Sequence, residues 1–320
     1  MGRILAVDPL LTSPAWKLEL QKKMNGTGNE IIYPESFEID VLKHYLPETD
    51  AIVTVFSQVT REMISQATNL KVIVKPGAGI DNIDLKFATE SRVMVCNVEG
   101  VRGQAVSEHV FLMILHISRH AWMRDAQEEW KHTLGVQLAK KKIGIVGLGN
   151  IGLHVAQIAK GFGMEIYVNT RTPDSSICKG IEIKFVSLET IFRISDFIVL
   201  SLPLVKETRG LICKETISLM KENCILVNVS RGEIVVTDDL YYGIKSGKIY
   251  GAGLDVTDPE PLPKNHPLWS LENVFISPHN SSRTPETQNL AIEKTCKNLT
   301  DALSGLMPLG LVNSEVFGEI

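Results

Sequence analysis

The chain lacks any Cys-x-x-Cys pair: its five cysteines (Cys96, Cys178, Cys213, Cys224, Cys296) lie scattered over 320 residues. Such spacing offers neither a disulfide framework nor a zinc site, and it fits a reducing compartment. A basic excess is missing too. The 33 Lys and Arg against 37 Asp and Glu leave a net charge of −4, so no nucleic-acid partner is expected. No apolar run is long enough to span a bilayer. The N-terminus enters Ile4-Leu5-Ala6-Val7-Asp8 directly, without the apolar stretch and cleavage site of a signal peptide. The expectation is a cytoplasmic protein with no membrane contact. Solenoid-period repeats and low-complexity segments are absent. What is present is ordinary for a folded protein: 44% apolar and 22% charged residues, in a length that allows two domains with cores of their own.

Short β-branched runs alternate with helical patterns. Residues 4–8, 31–33, 51–55, 72–75 and 94–97 read as strands, and stretches such as Thr60–Thr68 as helices or loops. This is the βαβ alternation of a parallel sheet. From Gln104 to His120 the period changes. Val106, Val110, Ile114 and Ile117 mark one helical face, with Phe111 and Leu115 beside it. So apolar a helix should be buried against something large. A second α/β series starts at Lys142, with strands expected at 143–146, 166–168, 197–200, 225–228, 251–256 and 274–277. After Pro285 a last helix runs to about Ser304, and its expected place is back on the first domain. The reading is two α/β domains, one of them discontinuous.

The run Gly147-Leu148-Gly149-Asn150-Ile151-Gly152 follows an expected strand and opens an expected helix, 151–161. That context makes it a dinucleotide turn rather than a bare glycine-rich turn. Gly147 permits the tight turn, Gly149 lets the backbone approach a pyrophosphate, and Gly152 allows close helix–strand packing. About 20 residues further on, an acid usually holds the ribose 2′-OH. Here the strand ends Val168-Asn169-Thr170-Arg171-Thr172. An acid would repel a 2′-phosphate. Arg171 would attract it, with Thr170 and Thr172 able to donate. A charge-assisted hydrogen bond contributes about 1.5–3 kcal/mol, roughly tenfold to a hundredfold. NADP(H) is therefore favoured and NAD(H) is the alternative; Arg171 stacked on adenine or solvated would remove the distinction.

Three residues downstream suggest the chemistry. Arg231, in Asn228-Val229-Ser230-Arg231-Gly232, follows a strand end, the edge where open α/β sheets bind ligands. A guanidinium there can clamp a carboxylate with two parallel hydrogen bonds; alone, it would read as a surface ion pair. His279, in Ser277-Pro278-His279, follows another strand end, and Glu260 precedes Pro261. A carboxylate beside an imidazole fixes its tautomer and favours the protonated form, which a general acid for carbonyl reduction requires. The other seven histidines, His116 and His120 included, read as structural.

With these residues the chain resembles the D-isomer-specific 2-hydroxyacid dehydrogenases over nearly all its length. Further matches are residues 75–84 (Lys-Pro-Gly-Ala-Gly-Ile-Asp-Asn-Ile-Asp), Leu202-Pro203-Leu204, residues 207–212, 251–256 and His266-Pro267-Leu268-Trp269. The resemblance implies two Rossmann-like or flavodoxin-like parallel-sheet domains. Residues 1–98 and 285–320 would form the substrate domain and 99–284 the dinucleotide-binding domain. Arg231 would bind the substrate carboxylate, His279 would exchange a proton with the carbonyl oxygen, and Glu260 would hold His279 and raise its pKa. Gly77, Ala78 and Gly79 would also hold the carboxylate, and Val55 and Phe56 would wall the side-chain pocket. Asp255 would face the nicotinamide carboxamide. Leu202, Pro203, Thr208, Val229, Ser230 and His279 would join Asn150, Ile151 and the glycines at the cofactor. A homodimer built on 104–120 and the arm through Trp130 is implied as well.

Besides the acid lost at Thr170, two positions depart from the family pattern: Asn280 beside the acid His279, and Lys140, where a Gly is common. Glu260 argues against formate dehydrogenases, which carry Gln there and an N-terminal extension. The loop 53–57 (Val-Thr-Val-Phe-Ser) has no cation for a phosphoglycerate, and no regulatory domain is expected after residue 320. The expected substrate is a small 2-keto acid, as for glyoxylate/hydroxypyruvate reductases, or a larger apolar one such as phenylpyruvate. The rivals are an NAD-dependent relative of phosphoglycerate or phosphite type, and a dinucleotide-sensing scaffold like the C-terminal-binding-protein co-repressors.

Overall fold

The computed structural model describes residues 2–121, 134–178 and 180–317. Two compact units emerge: Met1–Val101 with Thr284–Ile320, and Arg102–Arg283.

In the first unit, β1 (Arg3–Ala6), α1 (Pro14–Met24), β2 (Glu30–Ile32), α2 (Ile39–Leu42), β3 (Ala51–Val53), α3 (Arg61–Gln66), β4 (Val72–Val74), α4 (Leu85–Glu90) and β5 (Met94–Cys96) follow one another. The strands are all parallel, in spatial order 2-1-3-4-5, the flavodoxin-like order. Both faces are covered, so β3, β4 and β5 carry apolar residues at every position rather than alternate ones. Ile4, Val53 and Val72 face one core, which Trp16 and Leu20 of α1 complete. Leu5, Ile52 and Ile73 face the other, with Met63 and Ile64 of α3.

The second unit contains α5 (Gly103–Ser118), β6 (Lys142–Val146), α6 (Asn150–Gly161), β7 (Glu165–Asn169), β8 (Ile183–Phe185), α7 (Leu188–Ile194), β9 (Phe197–Leu200), α8 (Lys214–Leu219), β10 (Cys224–Asn228), α9 (Thr237–Lys245), β11 (Ile249–Leu254) and β12 (Val274–Ile276). Its parallel sheet runs β12-β11-β10-β9-β6-β7-β8, the Rossmann order extended by one strand. The apolar face expected of α5 is buried: Val110, Ile114 and Ile117 are each 0% exposed. Burying each contributes about 1.5–3 kcal/mol. The helix lies close on β11 because two glycines on one face of that strand make room. A Cβ on Gly253 would come within 2.7 Å of Met113, and one on Gly251 within 2.8 Å of Ile117. The last helix, α10 (Pro285–Leu303), returns to the first unit, where Ile292 and Leu299 join the core beside α1.

The strand β8 was not anticipated. It is a three-residue edge strand with an exposed lysine at its centre, too short and too polar for a period to register. Several strands stop one or two residues short of their sequence limits because their last residues serve the loops beyond; Asp8 and Asp255 are examples developed below. All five cysteines are free. Burial pushes the Cys96 thiol up to about 12 and that of Cys296 to about 11, which removes both from thiolate chemistry. Among the described residues, no helix is long and apolar enough to cross a membrane.

Lys140 now has a physical account. It adopts φ +65°, the left-handed region that favours glycine, while its N–H donates to Gly163 O at 2.8 Å. A side chain there costs about 1–2 kcal/mol, partly offset by the greater entropy that glycine loses on folding. Lys140→Gly is expected to raise the thermal midpoint by about 1–3 °C. A lowered midpoint in a calorimetric scan would refute this account.

Candidate active site

The register of the second sheet aligns its strand ends in one row: Val146 pairs with Asn169 and Leu200, Asn228 with Leu200 and Leu254, and Leu254 with Ile276. The candidate residues of this unit cluster just beyond that row, at the carboxyl edge. Gly147 follows β6, Thr170–Thr172 follow β7, Leu202 and Pro203 follow β9, Val229–Arg231 follow β10, Asp255 follows β11, and His279 follows β12. The strand order reverses between β6 and β9, the position where such sheets bind their ligands.

Gly147 adopts φ +97°, and a Cβ on it would lie 2.4 Å from Ser201 O. Only glycine lets the loops after β6 and β9 pass so closely. A Cβ on Gly152 would meet Gly147 O at 2.2 Å, whereas one on Gly149 would meet nothing within 4 Å. Gly149 is the N-cap of α6 and supplies no side-chain cap. The helix therefore presents backbone N–H groups and its positive dipole end to open space, with Asn150 and Ile151 in the first turn, and this fits a dinucleotide pyrophosphate. Arg171 and Thr172 are exposed. Thr208 Oγ1 donates to Pro203 O at 2.8 Å and accepts from Val205 N at 2.8 Å, fixing the loop after β9.

The loop carrying Arg231 is held by buried polar groups. Asn228 Nδ2 donates to Arg231 O at 2.9 Å, and Asn228 Oδ1 accepts from Ser230 N at 3.0 Å. Ser230 Oγ donates to Leu200 O at 2.8 Å and accepts from Leu202 N at 3.1 Å, tying the loops after β9 and β10. The Arg231 guanidinium donates from Nη1 to Ser230 O at 2.9 Å. His279 Nδ1 stands 2.7 Å from Glu260 Oε1. A carboxylate at Nδ1 places a proton on that nitrogen and orients the ring so that Nε2 points away from it.

His279 lies at φ +50°. Asp255 keeps it there. The carboxylate expected at the nicotinamide carboxamide is only 1% exposed and is engaged with the turn at 277–281. Its Oδ1 accepts from Ser277 Oγ at 2.7 Å and Asn280 N at 2.9 Å, and Oδ2 accepts from Ser281 N at 3.1 Å. The Asp255 carbonyl also accepts His279 N–H at 2.9 Å. Asn280, the departure beside the acid, is thus fixed through its backbone.

Sequence reasoning passed over His109, on α5. Its Nε2 is 2.9 Å from Ser277 Oγ. Because that hydroxyl donates to Asp255, Nε2 carries the proton and His109 is the donor. Burial depresses the His109 pKa, with Asp255 opposing in part, which favours the neutral ring that this tautomer describes. Its one sequence signal is a polar residue beside the apolar stripe of α5.

In the first unit, the candidate loops follow β3 and β4. Asp8, also unforeseen as a site residue, is 2% exposed, and its Oδ2 accepts from the N–H groups of Val55 at 3.1 Å and Ser57 at 2.8 Å. Val55 is buried in the core, so of the two residues expected to wall a pocket only Phe56 presents its side chain to the surface. The second loop is pinned by Asn97: its Nδ2 donates to Ala78 O at 2.9 Å. Gly77 is buried, Ala78 exposed and Gly79 half-buried. Lys75 Nζ bonds Asn82 Oδ1, and Asn82 Nδ2 donates to Ser57 O at 2.7 Å, joining the two loops. Among the described residues no group of three or more His, Cys, Asp or Glu could hold a metal ion.

The chain is similar to known proteins. The family model for the D-isomer specific 2-hydroxyacid dehydrogenase NAD binding domain matches residues 110–281. Glyoxylate reductase of Thermococcus litoralis is 40% identical over 291 residues, 86% of this chain and 87% of its own. The TT0316 protein from Thermus thermophilus superposes with a TM-score of 0.87 at 32% identity, over 97% of this chain and 99% of that one. An acyclic imino acid reductase (Bsp5) in complex with NADPH and D-Arg gives a TM-score of 0.85 at 26% identity, over 97% and 99%.

Proposed function

Because the chain belongs to the D-isomer specific 2-hydroxyacid dehydrogenase family, we propose that it reduces a small 2-keto acid, of the glyoxylate or hydroxypyruvate kind, to the D-2-hydroxy acid with NADPH. The observation that carries this reading is the 2.7 Å pair between His279 and Glu260, on the same sheet edge as Arg231 and the glycine turn. Bound NADPH supplies the hydride. Arg231 clamps the substrate carboxylate and draws electron density from the neighbouring carbonyl. His279 gives the Nε2 proton to the carbonyl oxygen as negative charge develops there, and Glu260 holds the ring by its Nδ1. The first domain's share of the reading is carboxylate binding at Gly77, Ala78 and Gly79, and side-chain selection at Phe56. A homodimer in the cytoplasm belongs to it as well, although most of the arm through Trp130 lies outside the described residues.

The test is a panel of 2-keto acids mixed with NADPH and followed by absorbance. Turnover of glyoxylate or hydroxypyruvate is expected; no turnover of any member sinks the proposal. Phosphite oxidation with NAD, and dinucleotide binding without turnover, are the outcomes that the rival readings require.

The preference for NADPH rests on Arg171, with Thr170 and Thr172, where an acid would exclude a 2′-phosphate. Arg171 is exposed, which puts its contribution near the lower end of the range for a charge-assisted bond. Arg171→Ala is expected to raise KM for NADPH about tenfold and to leave KM for NADH nearly unchanged. Equal shifts for the two cofactors, or a wild-type KM lower for NADH, would remove the assignment.

A further inference from the structure

The first sheet has a switch point of its own. In the order 2-1-3-4-5 the strand order reverses between β1 and β3, and doubly wound sheets take ligands in the crevice beyond such a pair. Here the chain supplies its own anion at that edge. Asp8, two residues beyond β1, reaches the loop that leaves β3. Its Oδ2 accepts from three consecutive N–H groups, those of Val55 at 3.1 Å, Phe56 at 2.5 Å and Ser57 at 2.8 Å, and its Oδ1 accepts from Leu10 N at 3.0 Å. Successive N–H groups aimed at one point form an anion-binding nest. The Asp8 carboxylate, 2% exposed, is the anion in it.

The carbonyl side of the loop is held as well. Ser57 O accepts from Thr54 Oγ1 and from Asn82 Nδ2, both at 2.7 Å. Packing does less. A cavity of about 440 Å³, lined by Val7, Phe37, Leu42 and Met63, borders the loop at Ser57 and Gln58 and leaves it room to move. Phe56 is the middle donor of the three, and its side chain is 54% exposed. The carboxylate thus fixes the backbone from which the Phe56 ring projects.

We propose that Asp8 is a positioning residue for substrate selection: it sets the size limit of the side-chain pocket by holding Phe56. With the loop held, the ring is a fixed wall that admits small side chains and excludes large ones. With the carboxylate gone, the N–H groups of 55–57 lose their common acceptor, the loop relaxes, and larger side chains enter. The inference rests on the proposed 2-keto acid reduction with Phe56 as the wall. It adds that the wall is governed by a buried carboxylate 48 residues earlier in the chain.

The experiment measures kcat and KM with NADPH for glyoxylate, which has no side chain, hydroxypyruvate and phenylpyruvate. The proteins are the wild type, Asp8→Asn, Phe56→Ala and the double variant. The wild type is expected to favour hydroxypyruvate over phenylpyruvate in kcat/KM by about tenfold or more. Asp8→Asn keeps the side chain's shape but replaces one acceptor with a donor. It should cut that ratio by about fivefold or more, through KM, and leave kcat for glyoxylate within about threefold, because Arg231, Glu260 and His279 belong to the other unit. Phe56→Ala should cut the ratio at least as far. Adding Asp8→Asn to Phe56→Ala should change it no further, since a residue that acts through the ring then has nothing to act on. A merely structural role would lower activity on all three acids alike, in both backgrounds. If Asp8→Asn fails to fold, Thr54→Val, which frees Ser57 O from one donor, takes its place with a fall of about twofold expected. An unchanged ratio in the variant that folds, a further fall in the double variant, or a wild type that turns over glyoxylate but does not prefer hydroxypyruvate to phenylpyruvate overturns the inference and leaves the reductase reading standing. Turnover of none of the three acids removes the reductase reading, and the inference with it.

Discussion

Replacing His279 with Ala is expected to lower kcat by about a thousandfold while NADPH binding changes little. A positioned general acid contributes roughly 10²–10⁴ in rate, and this one has its Nδ1 anchored 2.7 Å from Glu260, so little rotational freedom remains to be lost during the reaction. The substitution removes the proton donor but not the turn. The turn hangs on backbone N–H groups bonded to Asp255, and these survive at residues 280 and 281. Any residual effect of the left-handed backbone at 279 is controlled by His279→Asn, since Asn tolerates that conformation. Both variants should show the same fall in kcat, and NADPH titrated by fluorescence should bind within about threefold of the wild type. An unchanged kcat in either variant would refute the assigned acid.

Asp255→Ala should be the most destabilising of the single substitutions considered, and it should slow turnover as well. The carboxylate, 1% exposed, satisfies the Ser277 hydroxyl and the N–H groups of Asn280 and Ser281. Each donor left buried without an acceptor costs about 1–3 kcal/mol. A loss of roughly 3 kcal/mol or more follows, a fall of about 6 °C or more in the thermal midpoint. Because the same donors hold His279 at φ +50°, kcat should fall about a hundredfold through misplacement of the imidazole. Asp255→Asn keeps one acceptor and the side chain's shape, and should lose less on both counts. A role at the nicotinamide predicts a different pattern, in which KM for NADPH rises and the melting temperature stays put. That pattern would overturn the bracing role. His109 should echo Asp255 more weakly, because it touches the turn only through Ser277.

The sheets were legible in the sequence because a strand covered on both faces must be apolar at every position, as Val72–Val74 and Phe197–Leu200 are. The long helix at 103–118 was legible because its buried stripe repeats over four turns. The short edge strand at 183–185 was not, since only half of it is covered and lysine interrupts it. At the candidate site, residues that fall directly after strand ends stood out: Arg231, His279 and the glycines. Hidden were the contacts that hold them. His109 reaches Ser277 across 168 residues and Arg102 reaches Ser282 across 180, and a pattern of local spacing carries no trace of either pairing. Asp255 was visible as an acid at a strand end, but its bonding was not, because the turn it braces comes 25 residues later. The conformation at Lys140 was hidden for another reason: lysine does not advertise a left-handed backbone as glycine would.

The return of α10 to the first unit bears on how the chain emerges during synthesis. The face of the first sheet that Ile292 and Leu299 cover is made at the start, and its cover is made only after the whole second unit. At about 5–20 residues per second, translation leaves that face waiting for roughly 10–40 seconds. In that interval the nascent β1–β5 sheet presents Ile4, Val53 and Val72 partly bare, a surface suited to capture by chaperones or by another unfinished chain. The second unit, continuous in sequence, can finish its core first, so the first unit closes only once α10 has been made.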